Sequence, residues 1–154
     1  MSVTKQLGLI AIRPPPGAAG SRVLLLGGFQ LVDAEAQVAL AEGSQRLLAL
    51  LALRGGPIKR VLVAGTLWPD VTEARAYASL RSALSRLYGS VREAVEVSPS
   101  DIRLASSVRV DLRESQALAH RLLDAADQPL DASDLSRGAI TALSGELLPD
   151  WYDD

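Results

Sequence analysis

Thr72-Glu73-Ala74-Arg75-Ala76-Tyr77-Ala78-Ser79-Leu80-Arg81-Ser82-Ala83-Leu84-Ser85-Arg86-Leu87-Tyr88-Gly89 is the stretch on which the fold turns. Thr72 is a good N-cap, because its hydroxyl can accept from an unpaired first-turn N–H, and Gly89 is a good stop. A helix is therefore predicted from Glu73 to about Tyr88. At about 100° per residue, Ala76, Leu80, Ala83, Leu84, Leu87 and Val91 fall in one arc, which is a core face. The opposite arc holds Arg75, Ala78, Ser79, Ser82, Ser85 and Arg86, with Arg81 on its flank. A merely solvated face carries Glu and Lys in mixed sign, spaced for i,i+4 pairs. Here no acid lies beyond Glu73 within the helix, so its arginines have no helical partner.

Moving toward the N-terminus, a second helix is predicted from about Lys59 to Leu67, with Val61, Leu62 and Leu67 inward. Trp68-Pro69-Asp70 ends it, since proline disfavours helical geometry in the residue before it. Ser44 reads as the N-cap of a helix from Gln45 to Arg54. Its leucines at 47, 48, 50, 51 and 53 make it apolar nearly all round, the pattern of a buried helix. Gly55-Gly56-Pro57 stops it. Arg22 to Phe29 reads as a strand ending in a turn. A weaker alternation from Gln30 to Leu40, broken at Asp33-Ala34-Glu35, completes a small antiparallel sheet. Residues 1–20, interrupted by Pro14-Pro15-Pro16, read as a loose arm rather than a signal peptide.

Toward the C-terminus, Val95-Glu96-Val97 and Ile102-Arg103-Leu104 flank Ser98-Pro99-Ser100-Asp101, a β-hairpin pattern. Asp111 and Glu114 have capping-box spacing and open a helix carrying Leu112, Leu118, Leu122 and Leu123. A last helical pattern covers about Asp134 to Leu143. The expected fold is α+β: a winged helix-turn-helix over residues 21–111, then a helical extension over 112–154. The winged helix comprises an N-terminal antiparallel sheet, three helices and a C-terminal hairpin.

The chemistry follows from the third helix. Small Ser and Ala let its backbone approach base edges, while arginine offers a bidentate pair to guanine O6 and N7 or clamps a phosphate. Arg75, Ser79, Ser82 and Arg86 are thus candidates for bases and Arg81 for a phosphate. Lys59 and Arg60 begin the second helix, where they suit either a phosphate or a solvated turn. Arg103 alternates with Ile102 and Leu104, so it faces out, either as plain surface or as a wing reaching the minor groove. Trp68, at a helix end, suits a core plug better than a stacking platform. The lone His120 has no second His or Cys to make a metal site.

Charge is divided in the same sense. Residues 1–94 carry 11 Lys and Arg against 6 Asp and Glu, whereas residues 95–154 carry 5 against 12. One end suits a polyanion and the other repels it. The absence of cysteine excludes disulfides and thiolate chemistry and fits a reducing cytoplasm. No apolar run approaches the roughly 20 residues of a membrane span. Gly27-Gly28 lacks the Gly-Lys-Ser/Thr of a phosphate loop, and no nucleophile–base pair stands out, so neither an enzyme nor a cofactor is expected.

Five blocks resemble the Streptomyces antibiotic regulatory protein family: Leu25-Leu26-Gly27-Gly28-Phe29, Arg46 to Ala52, Leu67-Trp68-Pro69-Asp70, Ser79 to Leu87, and Val110-Asp111-Leu112. Gly145 to Asp154 is similar to the opening of that family's bacterial transcriptional activator domain. The resemblance implies an OmpR-type winged helix that binds direct repeats in promoter DNA, with Ala74–Leu87 as recognition helix. It implies that the loop matching Trp68, Pro69, Asp70, Val71 and Thr72 faces RNA polymerase. Two copies on direct repeats would make a homodimer. The expectation is a sequence-specific transcription regulator acting on double-stranded DNA without crossing a membrane. The alternative is a winged helix that docks a protein and has lost DNA binding.

Overall fold

The computed structural model describes residues 20–124, 132 and 136–151. In chain order its elements are β1 (Arg22–Leu24), β2 (Gln30–Asp33), β3 (Ala36–Val38), α1 (Glu42–Arg54), β4 (Ile58–Lys59), α2 (Arg60–Leu67) and α3 (Glu73–Ser85). Then come α4 (Gly89–Glu93), β5 (Val95–Val97), β6 (Asp101–Leu104), β7 (Arg109–Val110), α5 (Asp111–Leu123), α6 (Arg137–Ser144) and a 3-10 turn at Pro149–Trp151. The architecture is α+β. The expected arm lies outside the described residues but for Gly20, as do residues 134 and 135 of the last expected helix. No helix among the described residues is long and apolar enough to cross a membrane.

There are two small sheets, and α1 packs against both, meeting β1 of one and β6 of the other. In the first, β1, β2 and β3 are antiparallel, as their alternation implies, but β7 adds a parallel strand along the free edge of β1. The sheet is therefore mixed. The β2–β3 turn holds Ala34 at φ 46° and Glu35 at φ 67°, the left-handed region that suits Asn-Gly and costs ordinary residues about 1–2 kcal/mol each. In the second sheet the β5–β6 hairpin forms where expected, and β4 pairs with β6, Ile58 opposite Ile102.

The inward arc of the deciding stretch is buried throughout: Ala76, Leu80, Ala83, Leu84, Leu87 and Val91. The helix itself is shorter than expected. It ends at Ser85 with Arg86 as C-cap, and Gly89, at φ 57°, opens the short α4. The Thr72 hydroxyl does accept the Arg75 N–H, at 3.4 Å.

Several local expectations are corrected. Ser44 does not cap α1, which starts at Glu42 with Ala41 before it. Its fully buried hydroxyl donates instead to the Ala83 carbonyl at 2.8 Å, tying α1 to α3. In α2 Leu67 packs against the core as expected, but its other inward residues are Val63 and Ala64, whereas Val61 and Leu62 are 52% and 51% exposed. An eight-residue helix with five aliphatic side chains has no polar face from which to read a phase. In α5, Leu118 is buried but Leu123 is exposed.

Asp111 and Glu114 do not form a capping box. The Asp111 carboxylate accepts from Leu25 N–H at 2.8 Å and Leu26 N–H at 3.0 Å, beyond the reach of β7 along the β1 edge. It also accepts from Leu112 N–H at 2.7 Å. Glu114 bridges Arg22 and Arg109, each at 2.6 Å. Both carboxylates thus fasten α5 to the first sheet. The following segment returns to the same place. Gly27 N–H donates to the Glu146 carbonyl and Leu148 N–H to the Leu25 carbonyl, while Trp151 stacks on Phe29 with centroids 6.0 Å apart. A Cβ at Gly145 would lie 2.9 Å from Leu26 Cβ, so only glycine permits that approach.

Candidate nucleic-acid interface

With Leu80 and Ala83 packed inward, α3 must present its other side to solvent. Arg75, Ser79, Ser82 and Arg86 step by four, three and four residues, a net drift of about 20° over eleven positions. They form one nearly straight stripe about 16 Å long. These four and Ala78 line a shallow groove of about 580 Å³, completed by Gly43, Trp68, Val71 and Ala83. Arg81 is exposed but does not line it, as its position on the flank requires.

The electrostatics separates two groups of cations. Arg75, Arg81 and Arg86 are exposed, and their side chains make no ion pair or hydrogen bond among the described residues. The cations around the hairpin are engaged. Arg103 points out of β6, as alternation requires, but pairs with Glu96 directly across the strands at 2.5 Å. Lys59 lies in β4 rather than in the helix and pairs with Asp101 at 3.1 Å. Arg60 does open α2, yet its backbone N–H is taken by the Ser100 carbonyl at 2.9 Å, and its guanidinium reaches the Ser98 carbonyl at 3.5 Å. The Ser100 hydroxyl, and then Lys59, hold the Asp101 carboxyl below its ordinary range. It therefore stays charged beside Lys59 at neutral pH. A second groove of about 390 Å³ beside the hairpin sets Glu96 and Asp101 against Arg103, a poor lining for a polyanion.

Of the loop between α2 and α3, Trp68 and Val71 line the arginine groove, Thr72 caps α3, and Pro69 and Asp70 are exposed outside that lining. Trp68 is half-buried against the core, with its ring edge toward Gly43 of α1, so it serves as floor. Gly43 and Val71 as members of the groove were not evident from sequence, because α1 meets α3 through a contact between Ser44 and Ala83. His120 is an exposed residue of α5. Among the described residues no group of three or more His, Asp or Glu is placed to hold a metal ion. Compared with known proteins, the chain matches no family model, and no curated protein matches it.

Proposed function

We propose that the chain is a sequence-specific DNA-binding transcription regulator of the winged-helix type, with α3 entering the major groove. The observation that carries this reading is the stripe of Arg75, Ser79, Ser82 and Arg86, cationic, unpartnered among the described residues, and small-sided between its ends. Arginine's planar fork matches guanine O6 and N7, and Ser and Ala keep the backbone close enough for it to reach. The order of α1, β4, α2, α3, the short α4 and hairpin supports the winged-helix assignment, with β4 and the hairpin in one sheet. The resemblance to the antibiotic regulatory proteins supports promoter DNA as target and a homodimer on direct repeats as the arrangement. It also supports RNA polymerase as partner. Polymerase contact then falls to Pro69, Asp70 and Thr72, the exposed loop residues outside the groove.

Selection of bound duplexes from a random pool tests the reading, because it reports binding and specificity together. A defined consensus is expected. The enriched duplex should lose affinity with salt on a log–log slope of about −0.9 or steeper, the share of one phosphate contact at Arg81. A protein-docking function is the second reading, favoured by the exposed Val61 and Leu62 on α2. Affinity for a protein partner that ignores salt, with no DNA bound, would select it instead.

A further inference from the structure

Val71 is an exposed aliphatic side chain in the bend before α3, flanked by the exposed Asp70 and Thr72. It is placed, with Arg75, on the rim of the groove whose floor is Trp68. Val71 precedes Arg75 by four positions. The Thr72 cap, accepting the Arg75 N–H, fixes the start of the helix between them. The groove therefore has a cationic side and one apolar rim at its N-terminal end. A phosphate wall has no use for that rim. A base edge does, since the thymine C5-methyl is the apolar group that the major groove offers beside guanine's O6 and N7.

We infer that Val71 is a specificity-determining residue, contacting the methyl of a thymine next to the guanine engaged by Arg75. This rests on the DNA-binding reading above. It assigns Val71 to DNA, although the resemblance places the whole loop against polymerase. The loop is thereby divided, with Val71 on the DNA side and Pro69, Asp70 and Thr72 on the other.

The test uses the duplex enriched from a random pool, with each thymine replaced singly by deoxyuracil to delete its methyl. One replacement, adjacent to the guanine whose preference Arg75→Ala removes, should weaken the unmodified protein about fourfold, the worth of one buried methyl-sized group. Val71→Ala should weaken binding by a similar factor and no longer respond to that replacement. Val71→Ser, which carries a small hydroxyl and neither γ-methyl, should lose the same response. Both variants should keep the unfolding midpoint, because Val71 is outside the core. A full response in both variants, or no sensitive thymine beside that guanine, would overturn the inference and leave DNA binding standing. A pool from which nothing is enriched would overturn the DNA-binding reading itself.

Discussion

Helix α3 and the β5–β6 hairpin carry the same kind of side chain in opposite situations. Arg75, Arg81 and Arg86 stand without partners among the described residues, whereas Arg103 and, beside it, Lys59 are each bonded to a carboxylate. The difference lies in the backbone. On a helix an arginine's neighbours are three and four residues away, and here those are Ser, Ala, Tyr and Leu, with Glu73 at the far end. On a hairpin the neighbour is whatever register puts opposite, and for Arg103 that is Glu96. A cation that has already been neutralised gains less from a phosphate, so charge count alone overstates the hairpin's affinity for DNA.

The largest expected effect comes from the other side of the same helix. Leu84→Ala empties part of the core and should destabilise the fold by roughly 2–5 kcal/mol in chemical denaturation. Arg75→Ala or Arg86→Ala should leave that midpoint alone and each relax specificity at one guanine of the enriched duplex, costing roughly 1–3 kcal/mol on the preferred site. If both keep full preference, recognition lies elsewhere and the stripe is misassigned. Arg81→Ala is expected to weaken all sequences alike and to make the salt slope shallower by about one.

The hairpin should respond less. Arg103→Ala is expected to leave the slope unchanged and to cost stability by no more than about 1 kcal/mol through its exposed pair with Glu96. A shallower slope would mean that Arg103 leaves Glu96 for DNA. Smallest is the pH effect at Asp101, whose carboxyl is held below its ordinary 3.8 by Ser100 and then Lys59. A depressed value adds stability that is present above the unfolded value and is lost as pH falls through the folded one. Asp101→Asn should therefore be the less stable protein at neutral pH. The gap should close below about pH 4, as read from paired thermal melts.

The core face of α3 was legible because Ala76, Leu80, Ala83 and Leu84 alternate with polar residues over more than two turns. The hairpin was legible through its Ser-Pro-Ser-Asp turn. In α2 the sequence Arg60 to Leu67 offers too few polar residues to fix a phase, and Val61 and Leu62 were turned the wrong way. The edge of β1 was hidden for another reason. A two-residue parallel strand, the Asp111 carboxylate and a segment near residue 147 all converge on it. Such partners lie more than 80 residues away and leave no periodic trace. The stripe itself could be read from spacing, but its contrast with the hairpin could not. Arg103 looks as free as Arg75 until the register sets Glu96 opposite it.

The most direct measurement compares salt slopes for binding to the enriched duplex. Three proteins are needed: the unaltered chain, a variant with Arg75, Arg81 and Arg86 changed to alanine, and one with Lys59 and Arg103 changed. The helix variant should lose its preference for the enriched duplex and about 0.9 from the slope, the share of the phosphate contact at Arg81, whereas the hairpin variant should keep both. A hairpin variant that flattens while the helix variant keeps its slope would contradict the account at its centre.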